Sequence, residues 1–100
     1  MNEQQPQPAI DIDQILSPWH REILSGPAQK LYEAVWHQMR IKCVTTIWLN
    51  DIEASRRARV LIQFIPAART ELIDGGLVEC QQGIRQWSYT YLEQGDLSQD

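Results

Sequence analysis

The stretch from Ile65 to Leu92, IPAARTELIDGGLVECQQGIRQWSYTYL, leaves the chain little choice of local structure. Pro66 has no backbone N–H and clashes with a preceding helical turn, so a helix interior excludes it while a first turn accepts it. The spacing therefore predicts a helix that begins at Ile65 or Pro66 and runs to Asp74. Ala68 and Leu72 lie four apart on it, with Ile65 ahead of them and Ile73 beside Leu72. Gly75-Gly76 supplies the positive-φ stop. Two strands follow, Leu77 to Gln81 and Ile84 to Leu92, folded over Gln82-Gly83 with glycine where a tight hairpin turn favours it. On the second strand Trp87, Tyr89 and Tyr91 share one face, opposite Ile84, Gln86, Ser88, Thr90 and Leu92.

Upstream signals are shorter. Ala9 to Leu16 is an apolar-acidic stretch of one or two helical turns. Ser17-Pro18 then offers an N-cap followed by proline at the first helical position, and Ser25-Gly26-Pro27 repeats that signal. From Ala28 to Met39 the pattern is strongly helical: Leu31, Val35 and Met39 recur four apart, flanked by Tyr32 and Trp36. IKCVTTIW is β-branched, which predicts a short strand over Ile41 to Val44. Thr45 or Thr46 is the expected cap of the next helix, with Ile47 or Trp48, Leu49 and Ile52 facing inward. That helix ends near Ala54-Ser55 or continues through SRRARVLI. Trp36 and Trp48 are expected in the core.

One hundred residues with 43% apolar content suit one small domain. MNEQQPQP, residues 1–8, is too polar to repay the entropy of ordering, and 94–100 read the same way, so the expected folding unit is 9–93. Within it, 9–25 form an N-terminal extension and 28–92 the core. No run approaches the roughly 18 apolar residues of a membrane helix, and no secretory signal is visible. Cys43 and Cys80 are too few for a disulfide framework, so a cytoplasmic protein with reduced thiols is the expectation. The net charge is −4 but unevenly spread: from Arg40 to Arg69 six basic residues face two acidic ones, a balance of +4, leaving −8 elsewhere.

The predicted order is helix, short strand, helix, helix, strand, strand, behind extra helical material. In this the chain resembles the winged helix-turn-helix superfamily, whose members show Thr and then Leu four residues on in the second helix, matched here by Thr45 and Leu49. Their recognition helix exits through Leu-x-x-x-Gly-Leu-Val-Glu, matched by Leu72 to Glu79, and their wing carries an aromatic on its return strand, for which Trp87, Tyr89 or Tyr91 is available. The likeness covers residues 28–92. It departs in about half a dozen extra residues between Leu49 and Leu72, and in Arg69, where many members carry an apolar residue.

The resemblance implies an α+β, mostly helical fold, a three-helix core with a C-terminal β-hairpin wing and an extra N-terminal helical segment. It further implies a helix laid in the DNA major groove. Arg69 and Thr70, with Glu71 accepting from cytosine, are then the base-reading candidates. Arg56, Arg57 and Arg59 are placed to hold phosphates, and Arg85 to touch the backbone or minor groove from the wing tip, aided by Gln81, Gln82 and Gln86. Trp87, Tyr89 and Tyr91 cover the helices if buried; exposed, they form a dimer or partner interface, for which Trp19, Ile23 and Leu24 are the other candidates.

His20, His37, Cys43 and Cys80 have no zinc-ligand spacing, and no phosphate-cradling glycine loop or nucleophile–base pair stands out. The expectation is a protein without metal, cofactor or catalysis. It binds double-stranded DNA as a small dimeric transcriptional or plasmid/phage-type regulator; the alternative is a winged-helix adaptor or accessory subunit that binds a protein partner and no DNA.

Overall fold

The computed structural model describes residues 15–92. The expected tails and residues 9–14 of the N-terminal extension lie outside the described residues. Helix α1 (Pro18–Ile23) starts where Ser17 Oγ accepts from the His20 N–H at 3.1 Å, with Pro18 in the first turn. Ser25 caps the long helix α2 (Gly26–Lys42) in the same way. α2 buries Ala28, Leu31, Tyr32, Val35 and Met39, one continuous stripe at helical spacing. No described helix is long and apolar enough to cross a membrane.

The strand expected over Ile41 to Val44 is not formed. Arg40 and Lys42 sit in the last turn of α2, where cations favour the negative end of the helix dipole, and Cys43 closes it in the left-handed region at φ 57°. Local β-propensity loses to this cap and to the packing of α2. The strand β1 comes later (Thr46–Leu49), with Ile47 and Leu49 buried and Thr46 and Trp48 exposed. Thr45 and Leu49, expected on a helix, therefore lie beside and on a strand, and Trp48 is not a core residue.

The following helix, α3 (Asp51–Ala58), is capped by Asn50 and not by Thr45 or Thr46. Asn50 Oδ1 accepts from the Glu53 N–H at 2.7 Å while Glu53 Oε1 accepts from the Asn50 N–H at 3.2 Å. α3 buries only Ala54 and Ala58, and Ile52, expected inside, is exposed. It ends at Arg59, whose φ of 61° is again left-handed. A 3-10 turn (Ile62–Phe64) leads straight into α4 (Ile65–Asp74), which has the bounds and the buried Ile65, Ala68 and Leu72 that the sequence predicts. Of the two glycines after it only Gly76 has positive φ, at 74°; Gly75 at −80° is still helical.

Strands β2 (Val78–Gln82) and β3 (Trp87–Tyr91) pair antiparallel from Val78↔Tyr91 to Gln82↔Trp87. That register leaves a four-residue loop, Gly83 to Gln86, in place of the expected two-residue turn, closed by Gly83 N–H donating to the Gln86 carbonyl at 2.7 Å. A Cβ on Gly83 would lie 2.9 Å from a carbon of the exposed Trp48 ring and 3.0 Å from the Gln86 carbonyl oxygen; the ring can swing aside, so the backbone contact is what favours glycine there. β1 pairs with β3, giving a three-stranded antiparallel sheet in the order β1-β3-β2. Its inner face, with Ile47, Leu49, Val78 and Tyr89, closes over the helices. Among the described residues the fold is α+β and mostly helical, with four α-helices and one three-stranded sheet.

Candidate nucleic-acid interface

Arg69 projects inward from α4 and is only 5% exposed. Its Nη1 donates to Asp51 Oδ1 at 2.8 Å and to the Tyr89 hydroxyl at 3.2 Å, and its guanidinium lies 4.0 Å from the Trp87 ring centroid. Burial works against its charge, but the bonds to Tyr89 and Asp51 outweigh it and hold the guanidinium above its ordinary range. Burial likewise pushes the Tyr89 hydroxyl up, against the pull of Arg69, and the Cys80 thiol to about 11. Arg69 thus joins the start of α3, α4 and β3, and the expectation that it reads bases is corrected: it has no free face.

Glu71 is also occupied. Its Oε1 and Oε2 accept from the N–H and Oγ–H of Ser25 at 2.8 and 2.7 Å, which clamps the start of α2 to α4. Next to this clamp, buried His20 bridges Ser17 Oγ at 2.9 Å and the Gly75 carbonyl at 3.0 Å. Of the three base-reading candidates only Thr70 is exposed, and its hydroxyl donates to the Pro66 carbonyl at 3.1 Å. The outward positions of α4 are Pro66, Ala67, Thr70, Ile73 and Asp74, with no cation among them.

Arg56, Arg57 and Arg59 are exposed, as is Arg85 in the β2–β3 loop beside Ile84, itself 99% exposed. Among the described residues none of these four arginines has a carboxylate partner within 4 Å. The triplet divides: Arg57 and Arg59 line a cleft of about 510 Å³ against α2, whereas Arg56 does not. On the far wall stand Lys30 and His37, neither of them among the expected DNA contacts; with Glu33 they share one stripe of α2. The charge of the described part also differs from that of the chain. Residues 15–92 hold all nine basic residues and seven of the thirteen acidic ones, a balance of +2 inside a chain of −4.

The interface candidates separate by burial. Trp19 and Ile23 are exposed, whereas Leu24 belongs to the core, which corrects its assignment. Tyr89 is fully buried and Trp87 is half-buried against Arg69, so the aromatic strand face covers the helices and is not an open patch. Tyr91, at its end, lines a shallow apolar groove of about 290 Å³ with Met39 and Val44. A different apolar surface is open: Leu61, Ile62 and Phe64, in the turn ahead of α4, are 64, 47 and 42% exposed. No protein-family model, no curated protein and no solved structure matches the chain.

Proposed function

We propose that the chain is a non-enzymatic winged helix-turn-helix protein that binds duplex DNA mainly through its phosphates. The helix–strand–helix–helix–strand–strand order supports the assignment of the fold, with α4 as the recognition helix and the β2–β3 hairpin as the wing. The observation that carries the functional reading is the set of four exposed guanidinium groups, Arg56, Arg57, Arg59 and Arg85, which among the described residues pair with no carboxylate, on a described domain of +2. With Arg69 and Glu71 occupied, α4 offers bases only Thr70 and apolar contacts, so sequence is read weakly and phosphates dominate.

Fluorescence anisotropy on a labelled duplex between 50 and 200 mM salt tests this. Four phosphate contacts predict a slope of log K against log salt of about −3.6, so affinity falls by roughly a hundredfold over that range. A scrambled duplex is expected to bind within about tenfold of any chosen site, since no bidentate arginine–guanine pair is available to α4. Absence of binding at 50 mM salt overturns the reading.

A second reading, a protein-interaction module, is favoured by Leu61, Ile62 and Phe64, which continue into Pro66 and Ala67 without a charge between them. The partner there is an apolar protein surface, and a second copy of the chain is the simplest case. Sedimentation of the native chain against Leu61→Ser/Phe64→Ser tests the homodimer: a mass that falls from dimer to monomer on substitution supports it. Arg56→Glu/Arg57→Glu separates the readings, because it abolishes duplex binding and leaves an apolar partner in place.

A further inference from the structure

The cleft between α2 and the end of α3 gathers more positive charge than a folded surface needs. Lys30, Trp36 and His37 stand on the α2 wall, Arg57 and Arg59 on the other, with Glu33 as the one carboxylate; the Arg40 guanidinium lies 5.4 Å from the Trp36 ring centroid. Lys30, Arg57 and Arg59 are exposed and, among the described residues, pair with no carboxylate within 4 Å, Glu33 included. Like charges facing across a cleft repel, and a bound multivalent anion removes that repulsion. The favourable placement of Arg57 at the C-terminal end of the α3 dipole accounts for one of them. It does not account for Lys30 opposite.

Arg59 carries a separate mark. Its φ of 61° belongs to the region that glycine adopts freely and arginine does not. That conformation is pinned by the Arg59 N–H on the Ser55 carbonyl, by Val60 N–H on the same carbonyl at 3.1 Å, and by Ser55 Oγ–H on the Val60 carbonyl at 2.6 Å. A glycine would end α3 there without strain. The chain instead places a guanidinium at the cleft mouth.

We infer that this cleft is a seat for a phosphate-bearing anion, held by Lys30, Arg57 and Arg59 with His37 as a further donor and the Trp36 ring as an apolar wall. At about 510 Å³ it is large enough for two linked phosphates. The inference rests on the DNA reading only for the source of the phosphates. Under that reading they are successive phosphodiesters of the duplex; otherwise they belong to a free phosphorylated molecule.

The test uses the full chain, ¹⁵N-labelled, at 50 mM salt, titrated with sodium pyrophosphate and separately with duplex. Saturable shifts confined to Lys30, the Trp36 indole N–H, His37 and the Arg57–Val60 amides are expected. Lys30→Gln alters an exposed side chain, and Arg59→Gly suits the backbone, so both variants keep the fold. Each is expected to weaken pyrophosphate binding by about tenfold, the loss of one charged contact, while Lys42→Gln, an exposed cation outside the cleft lining, leaves pyrophosphate affinity unchanged. If pyrophosphate saturates the cleft and duplex displaces it, both the seat and its DNA source stand. If pyrophosphate binds and duplex does not, the seat stands and the DNA reading falls. If duplex binds with unchanged affinity in both variants and pyrophosphate shifts are diffuse and unsaturable, the seat is overturned and the DNA reading survives. No binding of either overturns both.

Discussion

Replacing Arg69 by methionine tests whether this arginine belongs to the fold or to a ligand. Methionine keeps most of the volume and removes the charge, so the change isolates the polar network from packing. Three contributions are lost. The ion pair to Asp51 is worth about 1 kcal/mol, because the Asp51 side chain is 32% exposed and water screens it. The buried hydrogen bond to the Tyr89 hydroxyl contributes about 1 kcal/mol, and the stacking on Trp87 somewhat under 1. Part is regained by burying a thioether without a charge, leaving a net loss of about 2 kcal/mol. Urea unfolding followed by circular dichroism reads this as a midpoint lowered by about 1–2 M. Adding Tyr89→Phe removes the hydroxyl left without a partner, so Arg69→Met/Tyr89→Phe is expected to be no less stable than Arg69→Met alone. A midpoint within 0.3 M of native, with duplex affinity reduced tenfold or more, would refute the reasoning and return Arg69 to the ligand.

Gly83→Ala puts a Cβ 3.0 Å from the Gln86 carbonyl that Gly83 itself bonds, a backbone atom that cannot swing aside as the exposed Trp48 ring can, so a loss of about 1 kcal/mol in chemical denaturation is expected. Arg59→Gly and Cys43→Gly each replace a left-handed residue at a helix end, and each is expected to raise the thermal midpoint, a gain of about 0.5–1 kcal/mol. Burial raises the Cys80 thiol to about 11 from 9.0 and lifts Tyr89 above 10.0. The folded state therefore keeps these protons longer than the unfolded one. The Cys80 contribution to stability is complete below about pH 9 and is lost as pH rises through about 11; that of Tyr89 is complete below about pH 10 and is lost at higher pH, and Cys80→Ala flattens the first part of the decline.

The helix from Ile65 to Asp74 was legible because its signals are local: Pro66 can only open a helix, and the glycine pair closes it. The start of α3 was equally local, since Asn50 and Glu53 form a capping box three residues apart. The β-branched run from Ile41 to Trp48 obscured it by drawing the strand forward and the helix cap with it. With Leu49 on β1, the Thr45–Leu49 match to the second helix of the winged-helix pattern is lost, and with it the spacing to Leu72 counted from that match. The fates of Arg69 and Glu71 were not legible by any local rule. Arg69 is decided by Asp51 and Tyr89, 18 and 20 positions away, and Glu71 by Ser25, 46 positions away. An arginine on a helix reads the same in sequence whether its partner is a base or a carboxylate. Lys30 and His37 were hidden for a related reason: their stripe on α2 gains meaning only from Arg57 and Arg59 across the cleft.

The division of charge leads to one more quantitative expectation. Six acidic residues, Glu3, Asp11, Asp13, Glu93, Asp96 and Asp100, fall outside 15–92 and turn +2 into −4. At 0.1 M salt the screening length is about 10 Å, so negative charge tethered to either end of the domain acts within reach of an approaching duplex. Converting all six to their amides removes six negative charges and leaves the sequence of 15–92 unchanged. Electrostatic steering acts on encounter more than on the formed complex. The association rate is therefore expected to rise by about tenfold at 50 mM salt and by less than twofold at 0.5 M, with the dissociation rate unchanged. Stopped-flow anisotropy on a labelled duplex separates the two rates. An unchanged association rate at 50 mM would show that the ends do not oppose binding, and the domain's +2 would then have no bearing on how the whole chain meets DNA. A change confined to dissociation would instead mean that the carboxylates occupy the cationic surface directly, with the pyrophosphate seat as the first place to look for them.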